Sequence, residues 1–151
     1  MKKHLLLFAV LFPLFVLNAQ QTDSSAAYTI ENELGEKLDF RIVSCVGSIN
    51  SQTVNIVFTL LQDSTNQYIH LCENVILDSD GNNFEYKRPE DYRCSYDGFY
   101  VPTKQLRKSK TIITGVLPKV KTIAYLEYKV RFKNDREYSK IIIRNLPIEW
   151  R

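Results

Sequence analysis

Residues 54–86 read VNIVFTLLQDSTNQYIHLCENVILDSDGNNFEY, and their patterning decides the fold class. Val54, Ile56, Phe58 and Leu60 point one way, while Asn55, Val57, Thr59 and Leu61 point the other. That two-residue period is a strand, and apolar residues on both faces make it a central one. A polar loop follows at Gln62, Asp63, Ser64, Thr65 and Asn66. Residues 68–77 return as a second strand. Asp78, Ser79, Asp80, Gly81, Asn82 and Asn83 then form a turn rich in residues suited to positive φ.

The chain outward from this centre repeats the same grammar. Leu38, Phe40 and Ile42 alternate with Asp39, Arg41 and Val43, and a turn covers residues 47–51. Residues 84–87 continue as a short strand, and an irregular stretch runs from 88 to 100. Further strands are expected at 105–116, 123–132 and 138–144, with turns at 117–119 and 134–135. In the 123–132 strand Leu126, Tyr128, Val130 and Phe132 face inward, and Glu127, Lys129, Arg131 and Lys133 face water. No stretch sustains helical periodicity. Short strands with regular turns predict an all-β fold, an antiparallel immunoglobulin-like β-sandwich of six to eight strands. The Cys…Trp…Cys core of antibody domains is absent, because Trp150 stands next to the C-terminus.

The N-terminus carries a different signal. Lys2, Lys3 and His4 precede a 13-residue apolar run, residues 5–17, and Ala19 offers a small residue for cleavage. This predicts a signal peptide over residues 1–19, too short to serve as a membrane anchor. A flexible leader is expected over 20–36 and the sandwich domain over 37–151. The expected location is secreted or periplasmic, with no transmembrane anchor after signal removal. The remaining length, about 130 residues, is enough for one domain with a real core. Without Lys2 and Lys3, the 20 basic residues fall to 18 against 17 acidic. That balance gives no reason to expect nucleic acid as a partner.

Cys45, Cys72 and Cys94 would meet an oxidising compartment, which favours one disulfide and one leftover thiol. Three pairings are open. The chain over 88–94 is expected to return toward the strand holding Cys72, which favours Cys72–Cys94 and leaves Cys45 free. A cysteine metal site lacks CxxC spacing and a second histidine, since His70 alone remains after the signal segment. No cofactor or metal is expected. The 78–82 turn alternates acidic and amide oxygens, but Gly81 is fourth and Pro89 twelfth, so it fails the EF-hand register. His70 and Cys72 share a strand face, yet mid-strand pairs of this kind are ordinarily packing. No nucleophile elbow, phosphate loop or HExxH is present. The chain is therefore not expected to be an enzyme.

Six aromatics fall within 17 residues at 84–100, FEYKRPEDYRCSYDGFY. Phe84 and Tyr86 are assigned to a strand. Tyr92, Arg93, Tyr96, Phe99 and Tyr100 are the candidate binding residues, on a loop tethered by Cys94. Tyrosine-rich loops make rigid, amphipathic contact surfaces. The alternative role for these rings is to roof the end of the core. A basic run, Lys104, Arg107, Lys108, Lys110, Lys119 and Lys121, reads as an edge strand guarded by lysines, and the alternative is a stripe that attracts anionic glycans or lipopolysaccharide in a salt-dependent way.

Four phrases resemble a known group: VNIVFTL, ILDSDGNNFEY, VPTK…TIITGVLPKV and IIIRNLPIEW. They are similar to the small secreted immunoglobulin-like domain proteins of the Bacteroides group, and to accessory domains of bacterial surface proteins and lipoproteins. The resemblance implies an immunoglobulin-like sandwich outside the cytoplasm with no catalytic residues to carry over. Asp63-Ser64-Thr65 also resembles the short O-glycosylation signal of that group, which makes Ser64 the acceptor. The expected function is a non-enzymatic module that binds a protein or glycan of the cell envelope through end loops. The alternative is a structural envelope-associated domain with no specific ligand.

Overall fold

The computed structural model describes residues 28–63, 66–87 and 99–151. These build two five-stranded sheets. The strands are β1 (Thr29–Asn32), β2 (Asp39–Ser48), β3 (Thr53–Leu61), β4 (Gln67–Asp78), β5 (Glu85–Lys87), β6 (Phe99–Val101), β7 (Arg107–Thr114), β8 (Thr122–Phe132), β9 (Ser139–Pro147) and β10 (Glu149–Trp150). One short 3-10 turn, Gly35–Lys37, separates β1 from β2. The first sheet has the order β1-β9-β8-β4-β6 and the second β10-β2-β3-β7-β5. All pairings are antiparallel except β10 with β2, which is parallel.

The alternation of the quoted stretch has the expected consequence. Val54, Ile56, Phe58 and Leu60 are fully buried, and β3 lies between β2 and β7. Opposite it, Ile69 and Leu71 of β4 and Leu126, Tyr128 and Val130 of β8 complete the core. Phe40, Phe58 and Tyr128 meet at its centre, with ring centroids 5.1 to 5.7 Å apart. Two sheets that each bury one apolar face against the other form a β-sandwich.

Ten strands exceed the expected six to eight, and the surplus consists of short pieces. β1 falls inside the expected leader. It pairs with β9, and Leu34 just beyond it is buried. Asn32 pins the junction: its side-chain oxygen accepts from the Leu34 N–H, and its amide donates to the Leu38 carbonyl at 2.6 Å. The segment at 85–87 joins the second sheet through β7, away from the strand it follows. Phe99 and Tyr100, expected in a loop, belong to strand β6 on the edge of the first sheet. A period-two signal needs several residues, so strands of two to four residues leave none.

Register shifts re-aim side chains. One lies in β4 between Glu73 and Val75. Ile69, Leu71 and Glu73 face the core before it, and Ile76 does so after it. Glu73, in phase with Ile69 and Leu71, is buried among apolar residues. Its carboxylate accepts from the Thr111 hydroxyl at 2.6 Å, and Thr111 also meets the Tyr128 hydroxyl at 2.9 Å. The three groups link both sheets through the interior.

Candidate binding face

Tyr68 lies one residue out of phase with Ile69 and Leu71, so it points away from the core. Tyr100 is its cross-strand partner on β6. Both rings are exposed, at 40% and 43%, with centroids 5.3 Å apart and planes tilted by 57°. Lys133 joins them: its backbone N–H donates to the Tyr68 carbonyl at 2.9 Å, and its ammonium lies 5.2 Å from the ring centroid. Position depends on the loop below. Buried Gln62 donates its side-chain amide to the Val101 carbonyl, and its own carbonyl accepts from the Lys104 N–H at 2.8 Å. Asn66 accepts from the Thr103 N–H at 2.6 Å. The short strand β6, which has little pairing of its own, is thus held from both sides.

The same face continues along β4, β8 and β9. His70 is paired with Arg131 and Cys72 with Lys129. The Arg131 guanidinium lies 4.8 Å from the ring centroid of Tyr138, and that of Arg144 lies 5.0 Å from Tyr125. Glu127, expected in water, is only 4% exposed. It accepts from the Tyr125 hydroxyl at 2.6 Å and the Asn74 amide at 2.7 Å, and it meets Lys140 at 3.3 Å. Burial alone would push its carboxyl up. The bonds from Tyr125, Asn74 and Lys140 together outweigh that and hold it below the usual range.

A depressed carboxyl stabilises the fold above its unfolded value, about 4.3, and that contribution is lost as pH falls through the folded value. Acid unfolding followed by circular dichroism is expected to show stability falling below about pH 4. Glu127→Gln should flatten part of that fall. An unchanged acid limb would show that Glu127 carries none of it.

His70 and Cys72 do share a face, and His70 is buried. Cys72 is disulfide-bonded, so its sulfur is not a thiolate. Cys45 is free and buried, and burial pushes its thiol up to about 12. Cys94, Tyr92, Arg93, Tyr96 and Ser64 lie outside the described residues. The 78–82 stretch is a closed turn. Asp78 accepts from the N–H groups of Asp80 and Asn82 at 2.9 and 2.8 Å, and from the Asn82 side chain at 2.8 Å. Those bonds, the Asn82 amide foremost, hold the Asp78 carboxyl below its ordinary value. Among the described residues, no group of three or more His, Cys, Asp or Glu side chains could hold a metal. Of the basic run, Arg107, Lys108 and Lys110 fall on the part of β7 that β5 leaves uncovered, since β5 reaches only Ile112–Thr114. Tyr28 beside β1, Ile42, Val43 and Cys45 of β2, Pro147 of β9 and Ile148 line an open groove of about 300 Å³ that draws on both sheets.

Of the five candidate binding residues, Tyr100 is the one whose side chain is described, and it is exposed. Sequence reasoning missed Tyr68 as its neighbour and Lys133 beside Tyr68. Tyr68 was legible from its phase in β4, but its meeting with Tyr100 depends on how β6 docks.

Among the described residues, no helix is long and apolar enough to cross a membrane. The chain matches no protein-family model, no curated protein and no solved structure.

Proposed function

We propose that this chain is an exported, non-catalytic immunoglobulin-like domain that binds a protein or glycan of the cell envelope. The carrying observation is the exposed Tyr68–Tyr100 pair where β6 joins the first sheet. Adjacent exposed tyrosines give contact area at low entropic cost. In sequence Tyr100 also closely follows residues 88–98, which hold the remaining candidate residues Tyr92, Arg93 and Tyr96. The strand orders support the immunoglobulin-like reading. β2-β3-β7-β5 corresponds to A-B-E-D, and β9-β8-β4 to G-F-C. The leading apolar segment supports export.

A Cys72–Cys94 disulfide completes this reading, supported by a free Cys45 and a bonded Cys72. It would tether the aromatic segment to the outward face of β4. Unreduced tryptic mass mapping is expected to yield one linked peptide pair containing Cys72 and Cys94. Any bridge containing Cys45 would overturn the pairing.

The binding reading is tested with a Tyr68→Ala/Tyr100→Ala variant against envelope extract and a panel of glycans. Exposed substitutions of this kind shift stability by no more than about 0.5 kcal/mol. Retention of a ligand by the native protein and its loss by the variant, at nearly unchanged thermal stability, is the expected result. If the native protein retains nothing, the domain is a structural element without a specific ligand.

A further inference from the structure

We infer that the ligand face is the outer surface of the first sheet, and that it takes an acidic glycan. The inference rests on the binding role just proposed and names its ligand class. Lys129 and Arg131 leave β8 on one side at alternate positions, and Lys133, the first residue of the turn after it, continues the spacing. That makes a single-sign row about 13 Å long, from the two-residue repeat of a strand. The hairpin mate β9 places Lys140 directly opposite Lys129. Like charges facing across strands are unfavourable. Lys140 is relieved by Glu127 and Arg144 by Glu31. Among the described residues no carboxylate pairs with Lys129, Arg131 or Lys133. The Nε of Arg131 is also shielded from water and has no hydrogen-bond partner among the described residues. In the middle of the row one guanidinium nitrogen, Arg131 Nε, therefore lacks an acceptor among the described residues.

Aromatic rings interleave with this row. Tyr68 lies beside Lys133 and Tyr138 beside Arg131, with Tyr100 extending the end. Rings that receive the apolar face of a sugar, alternating with cations that receive its carboxylate or sulfate, match an extended acidic polysaccharide. A nucleic-acid binder would be expected to carry a large basic excess, and this chain has 18 basic against 17 acidic residues once Lys2 and Lys3 are set aside. The cation row is local, on one sheet face.

Affinity electrophoresis of the purified protein in gels containing polygalacturonate, heparin or neutral dextran tests this. The protein should be retarded by the acidic polymers and not by dextran, and raised salt should weaken the effect. A Lys129→Gln/Arg131→Gln/Lys133→Gln variant should bind at least about tenfold more weakly, a difference of about 1.4 kcal/mol. A Lys108→Gln/Lys110→Gln variant, altered on the second sheet, should bind as the native protein does. Circular dichroism verifies that both variants are folded. Equal retardation of the triple variant, or loss of binding in the second-sheet variant, would overturn the assignment. So would stronger binding to RNA or to vesicles of anionic phospholipid than to either acidic polymer. If Tyr68→Ala/Tyr100→Ala abolishes capture of an envelope ligand while no acidic polymer binds, the glycan assignment falls and the binding role stands. If neither binds, both fall.

Discussion

Phe58→Ala is expected to lower the unfolding free energy by about 3–5 kcal/mol, a large part of what a domain of this size has. Phe58 is fully buried in the middle of β3 and touches both sheets through its rings. It stacks on Phe40 at 5.1 Å within the second sheet and meets Tyr128 of the first at 5.5 Å. Removing the ring leaves a cavity bounded by two other aromatic side chains and by strands whose spacing is fixed by hydrogen bonds. The site therefore has little freedom to collapse. Urea unfolding should show a lower midpoint with an unchanged slope, and Phe58→Leu, which keeps most of the volume, should lose far less. A Phe58→Ala loss under about 1 kcal/mol would mean that the sheets do not close on this residue.

The second large effect is at Gly47, where the sequence suggests only a turn. Trp150 lies flat on this residue. A methyl group there would stand 2.6 Å from Cδ2 and 2.7 Å from Cζ3 of the indole. The ring cannot yield without giving up its bond from Nε1 to the Val120 carbonyl, 2.7 Å long. The parallel pairing of Trp150 with Gly47 and the Arg151 N–H bond to the Gly47 carbonyl would go with it. Gly47→Ala is expected to cost about 1–3 kcal/mol as an overpacking change and to release β10. Trp150 is the sole tryptophan, so its emission reports on this contact alone. The spectrum should shift to the red and quenching by iodide should increase. Unchanged emission would show that the ring is not seated on Gly47.

The long strands were legible because each contains enough residues for the two-residue period to show. β3 and β8 follow their alternation closely, with Leu126, Tyr128 and Val130 buried and Lys129 exposed. Glu127 departs from it. Its position in β8 is outward as the period requires, but Tyr125, Asn74 and Lys140 close over it. Those neighbours come from three strands, and no local pattern announces them. Glu73 keeps the inward phase of Ile69 and Leu71 and so enters the core, where Thr111 of the opposite sheet receives it, and the bulge at Asn74 then turns Ile76 inward. A one-residue slip in register reverses the facing of everything beyond it, and the sequence carries no mark of where the slip occurs.

By itself the sequence determined an all-β chain and its central strand, because burial of alternate residues is a local property of the pattern. It also put Tyr100 among the candidates, because aromatic density is visible in one dimension. Only the tertiary structure decided that residues 54–86 are shared between two sheets. β3 lies at the centre of the second sheet, β4 lies in the first, and the strand begun after the turn, β5, returns to the second. Only the tertiary structure paired Tyr68 with Tyr100 and set Gly47 under Trp150. Each of those contacts joins residues more than thirty positions apart, and the contact depends on sheet order, edge pairing and register rather than on neighbours in the chain.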